Sequence, residues 1–453
     1  MLVSPDHRIS LSDQQPVATA PALEAVFVGA AFADARPAAA VEARAAATAL
    51  GFGNDPAMTG RPLAFASAAA FLDAFPGDDS WLSLAVQDYF AAGGQRAWVV
   101  RVEGDPAQPL DAYVSRAPAA AASLPETGVD IALQVPTAGL LVLPDLEQAC
   151  LAGALPPPQV PAPPSAPPVF RPVAEFVNAP QAAAPLSAGA KPVRPYDVLT
   201  RVSTALAAQR PDMLLLFALP VGADQTLSVP QLITRTATYL CGDAQPGPDL
   251  PGLPRVQALA PLLRSLAGDI ATPSGQVAGV LAAAAESDGI WRSIAGRALP
   301  LGPTPLRRIE SMALEELRRL GVSALRFGAG GTLLDDDILA LRDVPANAAR
   351  RAGGTRRVMG WLLRSLQAFG EQLVFENVLD ERVELILLDL FDELFRRGAL
   401  VGQQVTDAVT ITRRNPAPNA VEFDIAVNAA VALETIRLRF EDGSLTSSYA
   451  VAA

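Results

Sequence analysis

The residues with the clearest capacity for chemistry form a run of three carboxylates, Asp335-Asp336-Asp337. Carboxylates that converge on one point can bind a divalent cation. Three consecutive side chains point in different directions, so at most two of them could share an ion without ligands from elsewhere. We therefore interpret the run as a solvated turn and helix N-terminus, where the helix dipole favours negative charge, and we predict no metal site.

Groups for the common enzyme mechanisms are missing from the sequence. The single histidine, His7, lies in a segment without periodicity, so a histidine base would have no fixed geometry. The sequence has no G-x-x-x-x-G-K-S/T phosphate loop. The glycines of residues 328–331 follow a predicted strand, but no fitting βαβ unit or ribose-binding acid accompanies them. These observations predict a protein that is not an enzyme, with no catalytic residues and no cofactor.

Composition narrows the class of protein further. A formal net charge of −12 argues against nucleic-acid binding, which needs clustered Lys and Arg. No apolar run approaches the ~20 residues that a bilayer span requires, so we expect no direct membrane insertion. Cys150 and Cys241 are the only cysteines, which suits a reducing cytoplasm. We expect an acidic α/β protein with no assembled active site.

Helices and apolar strands alternate along the chain. Residues 81–102 show this most clearly: an amphipathic helix, a Gly93-Gly94 stop and a strand too apolar to have a wet face. Further strands are predicted at residues 25–30, 131–133 (a strand or the approach to one), 139–143, 213–217, 276–282 and 322–327. Further helices are predicted at residues 67–75, 199–207, 255–267, 305–320, 356–369 and 381–397. This order predicts a mostly parallel α/β sheet.

The C-terminal region reads as strands 409–413, 421–428 and 435–441, followed by a polar tail of residues 442–453. Alternation of Phe423, Ile425 and Val427 with polar or small residues predicts a half-buried strand. A polar tail with no core to join is either disordered or paired with the sheet edge of another chain. We predict inter-subunit strand exchange through Arg437, Arg439, Ser444, Thr446 and Tyr449.

A proline-rich segment, residues 154–195, interrupts the first half of the chain. Proline removes backbone donors, so this segment cannot form a helix or a central strand. We interpret it as a surface loop that assembly does not need. The alternative is a polyproline ligand that docks into an aromatic groove of a partner.

Several short blocks resemble the phage tail sheath family, in the order in which that family carries them. They are residues 25–30, 65–77, 81–102, 272–291, 321–326, 374–377 and 398–402. Residues 273–279 read Pro-Ser-Gly-x-x-Ala-Gly and are followed by Gly-x-Trp, and residues 374–377 read Val-Phe-Glu-Asn. Each block alone is weak, but their order over most of the chain is a strong signal.

The resemblance implies a tail-sheath-like fold of α/β (α+β) class, with mixed sheets flanked by helices and extended N- and C-terminal arms. It also implies a domain organisation. We expect an N-terminal arm at residues 1–22, an N-terminal and outer region at 23–254, a C-terminal core domain at 255–442 and a C-terminal arm at 443–453.

The function implied by the resemblance is that of a structural subunit of a contractile tail sheath. Such subunits form hexameric rings that stack as a cylinder around an inner tube, and contraction drives the tube through a target envelope. The implied partners are other copies, the inner tube protein, baseplate and cap proteins, and sheath paralogues. The implied location is assembly in the bacterial cytoplasm, as part of a phage tail or a released tail-like particle.

In the sheath family the C-terminal region lines the lumen, so the resemblance implies that the helix at residues 381–397 faces the inner tube. The side chains expected to make this contact are Asp389, Asp392, Glu393, Arg396 and Arg397. Its apolar side is expected to pack on the C-terminal strands through Leu385, Leu388, Phe391 and Leu394.

Some family features are absent, including its N-terminal Pro-Gly-Val-Tyr motif, and Ser323 stands where the family has Asn. These differences indicate a divergent sheath, as in phage-like extracellular injection particles, or a minor sheath paralogue that forms a ring near the baseplate or cap. The weaker alternative is a monomeric α/β binding protein or an enzyme of unknown activity. Sedimentation as a single chain would favour that alternative.

Overall fold

The structure is a computed structural model, and it describes most of the chain. The described residues are 22–31, 35–52, 58–103, 109–116, 127–154, 193–243, 252–265, 270–328, 330–344, 347, 350–373, 382–417, 420–429, 432–441 and 444–451. Nearly all of the predicted N-terminal arm, most of the proline-rich segment and the block at 374–377 lie outside them. None of the described helices is both long and apolar enough to cross a membrane.

The described part of the chain divides into two compact units, one within residues 23–357 and one within residues 358–453. Strands Leu214–Ala218 and Val256–Ala260, which lie on either side of the boundary expected at residues 254/255, belong to one sheet. The two units are described in turn.

Eleven strands are described in the larger unit. They are β1 (Glu24–Gly29), β2 (Pro62–Phe65), β3 (Ala97–Arg101), β4 (Ala138–Val142), β5 (Leu214–Ala218), β6 (Val256–Ala260), β7 (Leu263–Arg264), β8 (Ile270–Ala271), β9 (Thr304–Pro305), β10 (Val322–Gly328) and β11 (Gly331–Leu334). Eight of them form one sheet in the order β11-β10-β6-β5-β4-β1-β3-β2, and β7, β8 and β9 form a small second sheet.

The six inner strands of the eight-stranded sheet are parallel, and only β2 and β11 at its edges run antiparallel. All residues of β4, β5 and β6 are buried. A parallel sheet is covered by helices on both faces, so its strands read as continuous apolar runs. The predicted fold class, a mixed α/β sheet flanked by helices, is confirmed.

Ten helices are described in the larger unit, and several of them begin at a side-chain cap. They are α1 (Val41–Ala49), α2 (Ala68–Ala74), α3 (Trp81–Ala91), α4 (Pro109–Tyr113), α5 (Gly128–Ala132), α6 (Pro144–Ala154), α7 (Pro195–Gln209), α8 (Val229–Cys241), α9 (Ser274–Ser287) and α10 (Ser311–Leu320). Ser80 caps α3 by accepting the Ser83 N–H at 3.1 Å. Gly321 ends α10 in the left-handed region, with φ of 86°.

The prediction of a strand at residues 276–282 is wrong, because these residues lie inside α9. Apart from Gln276 the segment has no polar side chain, and a short apolar run cannot distinguish a buried strand from a buried helix. Gly275, just before this segment, and Gly279 within it lie against the backbone of α3. A Cβ on Gly275 would lie 2.4 Å from the Ala85 carbonyl oxygen, and one on Gly279 would lie 2.3 Å from that of Tyr89. Both carbonyls belong to α3, so the glycine spacing lets two helices approach backbone to backbone.

The prediction of a helix at residues 255–267 is also wrong, because Val256–Ala260 is strand β6. It pairs in parallel with β5 on one side and β10 on the other. A strand buried on both faces shows no alternation, so only its neighbours reveal it. Residues 131–133 lie at the end of α5, on the approach to β4.

The smaller unit combines helices with an antiparallel meander. Its elements are α11 (Gly353–Leu373, whose first residues belong to the larger unit), α12 (Arg382–Arg396), α13 (Val405–Ala408), β12 (Val409–Ala417), β13 (Ala420–Ala429), β14 (Ala432–Glu441) and β15 (Ser444–Val451). The four strands lie in sequence order. Phe423, Ile425 and Val427 are fully buried and their neighbours partly exposed, which confirms the predicted half-buried strand.

We predict that Gly279→Ala destabilises the protein by about 1–3 kcal/mol, because the new methyl group has no space against α3. In an ordinary helix interior the same change stabilises by about 1 kcal/mol. A decrease in the free energy of unfolding therefore indicates the close contact with α3. Urea unfolding measures the difference. Glu286→Ala, at an exposed position of the same helix, is the control and should change stability little. A neutral or stabilising Gly279→Ala would contradict the close contact.

Candidate functional site

The carboxyl edge of the large sheet is where a doubly wound fold binds ligands, at the point where strand order reverses. The reversal lies between β1 and β4, because the chain continues from β1 to β3 on one side and then to β4 on the other. The protein's own side chains fill this position. Asp145 accepts the Ala30 N–H at 2.5 Å and the Tyr113 hydroxyl at 2.6 Å. A Cβ on Gly29 would lie 2.8 Å from that of Leu82, so α3 packs directly against the end of β1.

A second carboxyl group closes the same edge at β5. Glu147, which is 1% exposed, accepts the Ala218 N–H at 2.7 Å and the Ser274 hydroxyl at 2.9 Å. Ala218 ends β5 and Ser274 begins α9, so the side chain joins two elements to α6. Asp145 and Glu147 therefore hold structure together at the place where an enzyme of this topology would bind its substrate.

The carboxylate run at residues 335–337 is not a solvated turn, which corrects the sequence interpretation. Asp337 is 4% exposed and accepts two hydrogen bonds from Arg357, at 2.9 and 2.7 Å. It also accepts from Gln257 Nε2 at 3.0 Å and Ile294 N at 3.2 Å. Burial alone would raise the pKa of Asp337, but Arg357 and these donors hold it below its ordinary value. Asp337 and Arg357 are 20 residues apart, so the local sequence around the three aspartates does not reveal that they form a pair.

The other groups considered for chemistry also have structural surroundings. Gly328 pairs with Gly331 at the end of the β10–β11 hairpin, which is not followed by a helix as a phosphate loop would be. Cys150 is buried, and burial raises the pKa of its thiol well above the ordinary value. No group of three or more His, Cys, Asp or Glu suited to a metal occurs among the described residues. His7 lies outside them.

The residues predicted for strand exchange lie together along one hairpin. β14 and β15 pair in antiparallel fashion within the same chain. The register joins Arg437 to Ser448, Arg439 to Thr446, Glu441 to Ser444 and Ile436 to Tyr449. The expected extended C-terminal arm is therefore a strand with a partner in its own chain. Polar composition did not reveal this, because an edge strand can be polar.

Helix α12 differs from its prediction in the side that it exposes. Leu385 is 60% and Leu388 38% exposed, so these two leucines are not part of the buried apolar side. The buried residues are Val383, Leu387, Leu390, Phe391 and Leu394. Spacings of three and four residues put Leu385, Leu388, Asp389, Asp392 and Arg396 on one stripe. The exposed stripe thus has an apolar half and a charged half.

The charges on α12 are paired with one another. Arg396 contacts Asp392 and lies 3.2 Å from Glu393, and Arg397 lies 2.7 Å from Glu393. Asp389 is exposed and appears in none of the ion pairs found among the described residues. Pairing at spacings of three and four residues is expected on a helix surface. It leaves this face with little net charge to attract a partner.

Comparison with known proteins identifies the fold. No protein-family model and no curated protein matches the sequence. The sheath complex of the extracellular contractile injection system PVC, in its contracted state, matches with a TM-score of 0.58 at 15% identity, covering 95% of each chain.

Two further structures agree. A chain of the anti-feeding prophage (AFP) baseplate matches with a TM-score of 0.58 at 16% identity, covering 95% of this chain and 96% of that chain. The sheath tail protein from Desulfitobacterium hafniense matches with a TM-score of 0.52 at 8% identity, covering 96% and 99%. The chain therefore has the fold of contractile sheath proteins over nearly its whole length, as the sequence blocks indicate.

We predict that Arg357→Met costs about 3–5 kcal/mol at pH 7, because it leaves Asp337 buried without its cation. Arg319→Met is the control: it breaks an exposed pair with Glu316 and should cost at most about 1 kcal/mol. The deficit of Arg357→Met should shrink as the pH falls from 7 to 4. In the variant, the unpaired buried carboxyl group of Asp337 takes up a proton as the pH falls, which reduces the cost of burying it. In the wild type the pKa of Asp337 is lowered, so the group stays ionised and its contribution to stability is nearly constant over this range. Urea unfolding across this pH range tests both points, and a constant deficit would contradict them.

Proposed function

We propose that this chain is a structural subunit of a contractile sheath, which forms hexameric rings stacked around an inner tube and contracts to drive the tube through a target envelope. One observation carries the proposal: the fold of a contractile injection system sheath covers 95% of this chain and 95% of that one. The filled crevice at the carboxyl edge supports it, since the position that would hold an enzyme's ligand serves packing.

The proposed partners are further copies of this chain, an inner tube protein, baseplate and cap proteins, and sheath paralogues. The proposed site of assembly is the bacterial cytoplasm, and the product is a phage tail or a released tail-like particle. The matched PVC and AFP structures belong to such particles, and the PVC system is described as extracellular.

We propose that copies are joined by exchange of β15. In the isolated chain β15 occupies the free side of β14, and β12 and β15 are the outer strands of the four-stranded sheet. Replacing β15 of one copy by β15 of a neighbour would preserve every backbone hydrogen bond of the pair, so the exchange has little cost. Arg437, Arg439, Ser444, Thr446 and Tyr449 would lie at the joint.

A disulfide across the hairpin tests the exchange. Arg437→Cys and Ser448→Cys place thiols on residues that face each other in the register, within the range that a disulfide can span. Cys241→Ser removes the part-exposed native thiol. Oxidation of the monomer should lock β15 onto its own chain, and sedimentation should then show no rings or cylinders until a reductant is added.

The same variant gives the opposite result when it is oxidised after assembly. Exchanged strands should then yield a ladder of covalently linked chains on a denaturing gel. Only intrachain disulfides, or normal assembly of the locked monomer, would reject the exchange. The single Arg437→Cys variant, which cannot form the bond, controls for the substitution.

We propose that α12 contacts the inner tube through Asp389, Asp392, Glu393, Arg396 and Arg397. The two exposed leucines, Leu385 and Leu388, extend this contact with apolar area. Since four of these charges, all but Asp389, are already paired within the helix, each adds about 0–1 kcal/mol, and register along the tube arises from many copies. A contact of this kind is weak enough to release during contraction.

The double reversal Arg396→Glu and Arg397→Glu tests this contact. It removes the intrahelical pairs, makes the face uniformly acidic and leaves the buried side unchanged. In cells that produce the whole particle, electron microscopy should show empty sheaths or free tubes. The matched control is Arg318→Glu and Arg319→Glu on α10, which also breaks exposed pairs with glutamates. Full-length, tube-filled particles from the α12 variant would place the contact elsewhere.

The second candidate is a minor sheath paralogue that forms a ring near the baseplate or cap. It is favoured by the match to a chain of the AFP baseplate, whose TM-score equals that of the PVC sheath complex. Negative-stain microscopy of the purified protein separates the two. Long striated cylinders indicate a major sheath, and single rings indicate the paralogue. A monomer that also shows turnover in an activity assay would favour the enzyme alternative.

A further inference from the structure

We propose that the Glu147 carboxyl group is a proton-controlled latch: in its protonated form it fastens α6 to the ends of β5 and α9, and its ionisation loosens that edge of the larger unit. This inference does not depend on the proposed function. Two features of the structure carry it: the carboxyl group is buried without a cation beside it among the described residues, and acidic groups surround it. Its hydrogen bonds define which elements it joins.

The contacts place Glu147 at a junction of three elements. Its two oxygens accept from Ala218 N at 2.7 Å and from Ser274 Oγ at 2.9 Å. Thr272 supports this end, because its hydroxyl lies 2.5 Å from that of Ser274 and also bonds the carboxyl group. The two hydroxyl groups can reorient, so the junction can accommodate a protonated carboxyl group as donor or acceptor.

No described ion pair includes either Glu147 or Asp145, although both are at most 2% exposed. Buried carboxylates without a cation favour the neutral form. The helix dipoles at the starts of α6 and α9 favour the ionised form but contribute only modestly. Burial outweighs the hydrogen bonds and raises the pKa of Glu147 to about 8 and that of Asp145 to about 6.

The titratable groups around the latch are mostly acidic, and among them the Asp145 charge adds directly to this effect. On α6 the Asp145 charge raises the pKa of Glu147, and Cys150 is coupled to Glu147 in turn. Asp78, before α3, acts on Asp145, and Tyr113 of α4 donates to it. Further acids lie on the helices packed against α6: Asp88 on α3, whose pKa burial raises to about 6, and Asp197 on α7, which acts on Cys150.

The sign of the pH dependence follows from the protons bound. Unfolded chains release the Glu147 proton near pH 4.5, while the folded protein keeps it until about pH 8. Stability is therefore greatest below pH 4.5 with respect to this group and falls as the pH rises to 8. One proton changes the folding equilibrium constant by up to tenfold per pH unit.

Few other groups of this chain are expected to titrate in the pH range where Glu147 does. The chain has one histidine, and the raised pKa values of Asp88 and Asp145 end near 6. Burial raises the pKa of both cysteine thiols. Between pH 6.5 and 8 the slope of stability with pH therefore reports mainly on Glu147.

Urea unfolding of the full chain between pH 6.5 and 8 tests the latch. Wild type should lose up to tenfold in folding constant per pH unit, and Glu147→Gln, which mimics the protonated group, should lose this slope. Glu286→Gln, an exposed position on α9, is the matched control and should keep it. An unchanged slope in Glu147→Gln would overturn the proposal.

Two measurements on the wild type test the proposal even if the Glu147→Gln variant does not fold. Carbon-13 NMR of glutamate carboxyl groups in the wild type should show one resonance that titrates above pH 7; titration of all of them below pH 6 would overturn the proposal. Hydrogen exchange should show α6 and the start of α9 opening at pH 9 in the wild type, after correction for intrinsic rates. Uniform opening of the whole larger unit would show a stability effect without a latch.

Discussion

Burial of both faces of one parallel sheet is the constraint on which the larger unit depends. Strands β4, β5 and β6 expose no residue, so helices must cover both faces. On one of them α9 approaches α3 so closely that Gly275 and Gly279 have no space for a side chain. The glycine-containing block that resembles sheath proteins is therefore a packing device. It brings backbones together without adding chemistry.

The same burial makes every internal polar group costly unless it has partners. Asp337 is balanced by Arg357, and its remaining oxygen lone pairs accept from Gln257 and Ile294. Glu147 receives hydrogen bonds but, within the described part of the chain, no cation, so neutralisation by a proton takes the place of an ion pair. Two acids of similar sequence character thus respond to pH in opposite directions, because one faces a guanidinium group and the other faces hydroxyl and amide groups.

The proposed function relies on contacts at the surface of the protein. The crevice that serves enzymes of related topology is closed by Tyr113 and Asp145. What remains available is the outer strand β15, with a polar composition, and the stripe of α12, where two exposed leucines continue into a set of paired charges. Edge strands and weakly charged helix faces suit contacts that must form in many copies and rearrange together.

The sequence by itself determined the fold class, most elements and their order, because apolar strands and amphipathic helices differ in period: β5, α3 and the alternating Phe423, Ile425 and Val427 all follow their patterns. It could not decide elements without a period. Residues 276–282 and 256–260 are apolar apart from Gln276 and Gln257. Only contact with α3 makes the first a helix, and only pairing with β5 and β10 makes the second a strand. Tertiary structure alone decided the partners of Asp337, the exposure of Leu385 and the pairing of β15 within its own chain. The first two depend on residues distant in sequence, which local spacing does not encode, whereas β15 pairs with the strand that directly precedes it in the chain.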